Sequence, residues 1–318
     1  MSEALLDHAR DSIARGSKSF AAAARLFDPA PRRSAVLLYA WCRHCDDVID
    51  GQQLGFGQHG GGDADALEAL ERATRAACAG EPCPVPAFAA LREVTARHAI
   101  PVRYPLDHLA GFRMDVEGRV YQRFEDTLDY CYHVAGVVGV MMALVMGVRD
   151  EATLDRACDL GIAFQLTNIA RDIVEDAENG RLYLPRDWLA EAGIPADALT
   201  APWHRPALAQ LAARLVEAAE PYYDSALQGL PALPPRSAWA IATARAVYRE
   251  IGLKVTAAGS AAWDQRQSTG TLDKLRLIVQ GGWQALAARR TVVTPRPSGL
   301  WTRLAAPAVR HAGDAARP

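Results

Sequence analysis

Neither sign of charge dominates this sequence: 35 basic side chains stand against 37 acidic ones, a formal net charge of −2. That near-balance gives no electrostatic reason to expect a nucleic-acid partner. Long apolar runs are also lacking. The longest, Val134–Val148, is interrupted by glycines and falls short of the ~20 residues that cross a bilayer. Met1–Ser19 is charged throughout and has no signal-peptide core, so a soluble, cytoplasmic protein is expected. Cysteine is sparse, with six residues at 42, 45, 78, 83, 131 and 158. Cys42 and Cys45 have C-x-x-C spacing, but no second pair completes a zinc site and both fall on the apolar arc of a helix. Buried, inert thiols are the better reading. Gly55–Gly60 spells G-x-G-x-x-G. A dinucleotide fingerprint must follow a strand and open a helix, whereas this one follows a helix and runs on into a glycine loop. Strand alternation and internal repeats are absent, which argues against a β fold and a solenoid.

What is present is helical periodicity, rich in Ala, Leu, Arg and Glu. Helices are expected at about 3–15, 17–25, 30–50, 64–79, 85–98, 105–116, 125–147, 151–178, 186–191, 204–228, 235–262 and 271–288. Pro29 and Pro31 suit the first turn of the 30–50 helix, with Asp28 as N-cap and Gly51 at its end. Segments 51–63 and 80–86 read as loops. The reading is one all-α domain, 1–293, followed by a Pro/Arg-rich tail, 294–318, of little order.

Two acidic stretches carry the chemistry. Asp46-Asp47-Val48-Ile49-Asp50 closes one helix, and Asn168 to Asp176 lies within another. Asp46 and Asp50, like Asp172 and Asp176, are spaced i, i+4 and share a helix face, where like charges cost an isolated helix about 0.2–0.5 kcal/mol. Opposed clusters would repel further unless cations lay between them, and oxygen ligands of this kind suit Mg²⁺. The simplest use of both is binding a diphosphate through bridging Mg²⁺.

On the first helix Tyr39, Arg43, Asp46 and Asp50 gather opposite Leu37, Leu38, Trp41, Cys45, Val48 and Ile49. A solvated surface face would look the same. On the second, Gln165, Asn168, Asp172, Glu175 and Asp176 make a narrow polar stripe within an apolar helix, which favours polar groups turned towards a buried site. Gly16-Ser17-Lys18-Ser19-Phe20 offers hydroxyls, an ammonium and free helix amides to phosphate oxygens, or serves as a helix cap. Arg43, Arg171 and Arg266 could add positive charge; Tyr39, Tyr130 and Tyr248 could line a pocket or sit in the core. The Gly-rich stretch Val134–Val140 would let a helix pack closely or leave room for a long apolar ligand.

Taken together, these segments resemble the squalene and phytoene synthase family, which joins isoprenyl diphosphates head to head. The resemblance runs from about Ser12 to Leu277. It rests on Gly16–Phe20, Tyr39-Ala40-Trp41-Cys42-Arg43 leading to Asp46–Asp50, Tyr130–Gly136, Gln165–Asp172 with Asp176, and Gly180-Arg181-Leu182-Tyr183-Leu184-Pro185. The wording throughout, Trp263–Thr269 included, is most similar to the bacterial, phytoene-forming branch. The resemblance implies an all-α isoprenoid-synthase fold around a central cavity. It implies that Asp46, Asp50, Asn168, Asp172 and Asp176 hold Mg²⁺ (Mn²⁺ as the alternative). It also implies that Gly16, Ser17, Lys18, Ser19, Phe20, Tyr39, Arg43, Tyr130, Gln165, Asn168, Arg171, Tyr248 and Arg266 contact substrate. Asp46, Asp50, Asp172, Asp176, Arg43 and Arg171 would carry the catalysis. The implied reaction condenses two geranylgeranyl diphosphates to prephytoene diphosphate and then phytoene, without NADPH. The alternatives are a farnesyl diphosphate-using dehydrosqualene or squalene synthase and a non-catalytic helical assembly protein. Long apolar substrates imply peripheral contact with the inner membrane without a spanning helix.

Overall fold

A computed structural model describes Ala9, residues 23–51 and residues 64–303. The G-x-G-x-x-G segment and the Gly16–Phe20 segment lie outside the described residues, as do the expected helix 3–15 (Ala9 apart) and most of 17–25. The described residues form helices and contain no strand. In chain order they are α1 (Pro29–Asp50), α2 (Ala64–Cys78), α3 (Pro86–His98) and α4 (Arg103–Val116), then α5 (Phe124–Cys131) and α6 (Val137–Val145), joined by a π-helical turn at Tyr132–Gly136. There follow α7 (Glu151–Glu178), α8 (Arg186–Glu191), α9 (Arg205–Leu227), α10 (Pro235–Ala258) and α11 (Thr271–Ala288).

Local chemistry explains most boundaries. Gly51 ends α1 in the left-handed conformation, φ 59°, its N–H donating to the Asp47 carbonyl, which is where a residue lacking Cβ costs nothing. Asp150 caps α7 by accepting a hydrogen bond from the Thr153 amide at 2.8 Å. Asp28, expected to cap α1, makes no side-chain cap hydrogen bond. Its carboxylate instead faces Arg236 at 3.3 Å.

The α7 helix is the spine of the molecule. The α6, α9 and α10 helices pack along it, and α11 lies outside α10. Glycines set the closest approach: a Cβ on Gly139 would lie 2.2 Å from the Ala157 carbonyl oxygen, and one on Gly161 2.2 Å from that of Ala135. The Gly-rich stretch therefore brings backbones into contact, and in the same stretch Val134, Ala135, Val138 and Gly139 border a cavity.

Three expectations are corrected. The helix expected over 125–147 is divided by the π-helical turn, where Tyr132 Oη donates to Asp107 at 2.7 Å and the His133 carbonyl takes His108 Nδ1 at 3.2 Å. The segment Phe124–Val145 is also long and apolar enough by length and composition to cross a membrane, with mean hydropathy 1.6, contrary to the sequence reading. Two-thirds of that window (67%) is buried inside the protein, so its hydrophobicity serves the core. The tail departs as well. Residues 294–303 are held against α7, where Arg296 grips the fully buried Asp159 through two contacts of 2.7 and 2.8 Å. Arg303 pairs with Asp155 at 2.6 Å, and Trp301 stacks on Tyr132 with ring centroids 4.6 Å apart.

Candidate active site

One cavity of about 810 Å³ runs into the helical bundle. Its mouth is polar and its depth apolar, lined there by residues such as Phe27, Leu38, Phe112, Val138, Met142 and Leu160. All the described candidate residues border it: Tyr39, Arg43, Asp46, Asp50, Tyr130, Gln165, Asn168, Arg171, Asp172, Asp176, Tyr248 and Arg266. The α1 and α7 helices thus turn their acidic faces to a shared hollow. On α7 the flanking Ile162, Ala163, Leu166, Ile169, Ala170 and Ile173 are all buried, which confines the polar stripe to the cavity side.

Arginines thread between the carboxylates. Arg43 pairs with Asp46 at 2.7 Å and with Asp47 at 2.8 Å; Arg171 takes Asp172, its Nε at 2.7 Å from Oδ1. Arg266 reaches Asp172 at 3.2 Å and Glu175 at 3.1 Å from the loop before α11. Arg181, just beyond α7, closes on Asp50 of α1 and so ties the two acidic walls together. Deeper in, Tyr130 Oη and Tyr183 Oη donate to Asp115 at 3.2 and 3.0 Å, their rings stacked 4.5 Å apart. Tyr248 stacks on Phe164 at 4.1 Å, and both rings line the cavity.

Even with these arginines the mouth carries more negative than positive groups. Burial pushes Asp46 up to about 7 and Asp176 up to about 8, and neighbouring carboxylates add to both shifts. Asp46 keeps 36% of its side chain open to the cavity while protein encloses the rest. Asp176 receives no hydrogen bond or ion pair to its carboxylate among the described residues.

An oxygen-only donor set with surplus negative charge fits a hard divalent cation. Among the described residues no group of three His, Cys, Asp or Glu is gathered closely enough to hold one alone. Mg²⁺ is typically held by one or two carboxylates with substrate phosphates and water completing the shell, so the geometry suits an ion that arrives with a diphosphate. No zinc-like alternative competes: Cys45 is buried, and burial pushes the Cys42 thiol up to about 12.

Sequence reasoning missed Asp115, Arg181 and Tyr183 as site residues. Arg181 and Tyr183 lie within Gly180–Pro185, directly after the second acidic cluster, and that position was the available signal. Asp115 gave none, since it reads as an ordinary charge in the last turn of α4.

The site is thus an apolar cavity within an all-α bundle, entered between two opposed aspartate-bearing helices. The squalene/phytoene synthase family model matches residues 13–274, and the chain belongs to that family, whose members are prenyltransferase-type enzymes generally dependent on divalent metal. A phytoene synthase of Pseudescherichia vulneris is 59% identical, with 94% of this chain and 98% of that protein aligned. A 15-cis-phytoene synthase of Pantoea ananas is 58% identical at the same coverage, 94% and 98%. Among solved structures, a dehydrosqualene synthase with bound ligand superposes with a TM-score of 0.81 at 27% identity, covering 90% of this chain and 98% of that one.

Proposed function

We propose that this protein condenses two molecules of geranylgeranyl diphosphate head to head, through prephytoene diphosphate, to phytoene, the first committed step of carotenoid formation. The observation that carries the reading is the pair of opposed acidic walls at the entrance of a single apolar cavity. The phytoene-forming names of relatives 52–59% identical over most of the chain favour the C20 substrate. In this reading Asp46, Asp50, Asn168, Asp172 and Asp176 hold Mg²⁺, or Mn²⁺ in its place. The bound ion would act as a Lewis acid on the leaving diphosphate. Arg43, Arg171 and Arg266, with Arg181 from just beyond α7, neutralise charge as the diphosphate departs. Gln165 and Asn168 orient the headgroup. Tyr39, Tyr130 and Tyr248 shape the passage to the apolar depth, where excluded water cannot quench an allylic cation. The Gly16–Phe20 segment supplies further phosphate contacts. Balanced chemistry needs no reductant, because the second ionisation ends in proton loss. The enzyme works on the cytoplasmic side, in peripheral contact with the inner membrane that dissolves its substrate and product.

The test is product analysis by mass. Purified protein with geranylgeranyl diphosphate and Mg²⁺ should yield a C40 hydrocarbon without NADPH, and chelation should abolish it. Asp46→Asn and Asp172→Asn should each lower turnover about 10²-fold or more. A C30 product from farnesyl diphosphate, with none from the C20 substrate, would transfer the assignment to a dehydrosqualene or squalene synthase. Unchanged turnover in both variants would remove the metal assignment.

A further inference from the structure

The α11 helix has two apolar faces. Its inner face, Leu277, Gly281 and Ala285, is buried against α10, and a Cβ on Gly281 would meet Thr243 Oγ1 at 2.4 Å. The opposite face carries Leu272, Leu275, Val279, Trp283 and Leu286, which are 83, 61, 64, 75 and 69% exposed. At ~100° per residue these five fall within one narrow arc turned away from the bundle. Scattered exposed leucines need no account, but a contiguous stripe that includes an exposed tryptophan does. Just beyond the helix Val292 (88% exposed) and Val293 (49%) continue it.

The charges along this helix are mostly positive. Between 271 and 290 the basic side chains are Lys274, Arg276, Arg289 and Arg290, and the only acidic one is Asp273. Asp273 is already engaged by Lys254 at 2.5 Å. Arg276 leans on Glu250 at 3.0 Å but stays 57% exposed; Arg289 and Arg290 close the C-terminal end with no acidic partner among the described residues, Arg289 donating to the Leu233 carbonyl at 3.1 Å. A chain with net charge −2 thus places Arg276 and Arg290 beside an exposed apolar face. The helix also begins a few residues after Arg266, at the rim of the cavity, and Lys254 braces that loop through the Ser268 carbonyl at 3.1 Å.

From this juxtaposition we infer that the outer face of α11 docks the protein on an anionic phospholipid bilayer, its apolar stripe among the acyl chains and its arginines at the headgroups. The inference rests on the reading above in taking the substrate to be lipid-soluble and the membrane contact to be peripheral, and it names the surface that makes that contact. Apolar burial and attraction to anionic lipid act together in such helices. A second copy fits the face less well, because self-pairing would bring the same arginines together. Docking at this face places the rim that carries Arg266 next to the membrane surface, giving an apolar substrate a short path into the cavity.

Co-flotation of the full chain with vesicles tests this directly. Phosphatidylcholine vesicles containing phosphatidylglycerol should carry the wild-type protein, and binding should weaken as salt is raised. The triple change Leu275→Gln, Val279→Gln, Trp283→Gln should reduce bound protein about tenfold or more. The change Arg289→Gln, Arg290→Gln should abolish the preference for anionic over neutral vesicles, which remains a test if the first variant folds poorly. Turnover of detergent-dispersed geranylgeranyl diphosphate should be unchanged in both. Flotation unaffected by either set of changes would overturn the proposal. So would a wild-type dimer made monomeric by the triple change while vesicle binding persisted, which would make the face a contact between copies. A protein that floats as described but forms no hydrocarbon would leave the docking face intact and overturn the catalytic reading instead.

Discussion

At the scale of single residues, the polar stripe of α7 was legible because a helix shows its neighbours three and four positions away. A narrow polar arc inside an apolar helix has few explanations other than a buried site. Asp115 was not legible, because its surroundings come from two distant places: Tyr130 on α5, and Arg181 and Tyr183 beyond α7. Burial raises its pKa from 3.8 to about 6 despite Arg181 and the two tyrosine donors. The folded protein therefore holds this proton more tightly than the unfolded chain does. Stability on this account is highest below the unfolded value, falls as pH rises from about 4 to about 6, and stays lowered above that. Asp115→Asn, which removes the charge and keeps one of the two acceptor oxygens, should gain about 1–3 kcal/mol at pH 7. The gain should shrink between pH 6 and 4. Thermal unfolding of both proteins across that range reads it out; a wild type at least as stable as the variant at pH 7 would show that the ion pair and hydroxyls outweigh burial.

At the scale of elements, periodicity located the helices well, and α8 and α11 fall where the pattern put them. The interruption at Tyr132–Gly136 was hidden because its apolar pattern runs on without a proline or a polar break. The π-helical turn arises from tertiary partners, with Tyr132 and His133 bonded to Asp107 on α4. The adjoining glycines were recognised as ambiguous between close packing and cavity space, and they serve both. Their packing role can be weighed quantitatively. Replacing a helical glycine with alanine gains about 1 kcal/mol in propensity, so overpacking must cost more than that to show. At Gly139 the new Cβ would meet the Ala157 carbonyl oxygen at 2.2 Å, and a backbone atom has no rotamer to escape into. At Gly252 it would meet Val216 Cγ1 at 3.3 Å, a side chain able to yield. Gly139→Ala should therefore destabilise by about 1–3 kcal/mol or more, while Gly252→Ala should stay within about 1 kcal/mol of wild type. Urea midpoints of the two variants decide it, and equal shifts would remove the backbone-contact argument.

At the scale of the whole molecule, the acidic walls, the apolar depth and the α11 face depend on one spine, and the C-terminal strap 294–303 braces that spine. Its composition, rich in Pro, Arg and Ala, resembles that of a solvated tail. The partners that order it, Asp159, Asp155 and Glu151, lie far back in the sequence on α7, and no local pattern connects them. Asp159 is 0% exposed and receives Arg296 through both oxygens and Ser225 Oγ at 2.5 Å. Removing one member of a buried pair leaves an uncompensated charge, a loss of about 3–5 kcal/mol, whereas neutralising both can cost little. Arg156, which also attracts Asp159, places the expectation at the lower edge of that range. Arg296→Met should thus destabilise by about 3 kcal/mol, and adding Asp159→Asn should restore most of the loss. Denaturant unfolding of the two single variants and the double variant measures the coupling between them. Additive losses would mean that the strap is held by Trp301 and Arg303 rather than by the buried ion pair. Losses that cancel in the double variant would show that a segment reading as tail secures the helix bearing the second acidic wall.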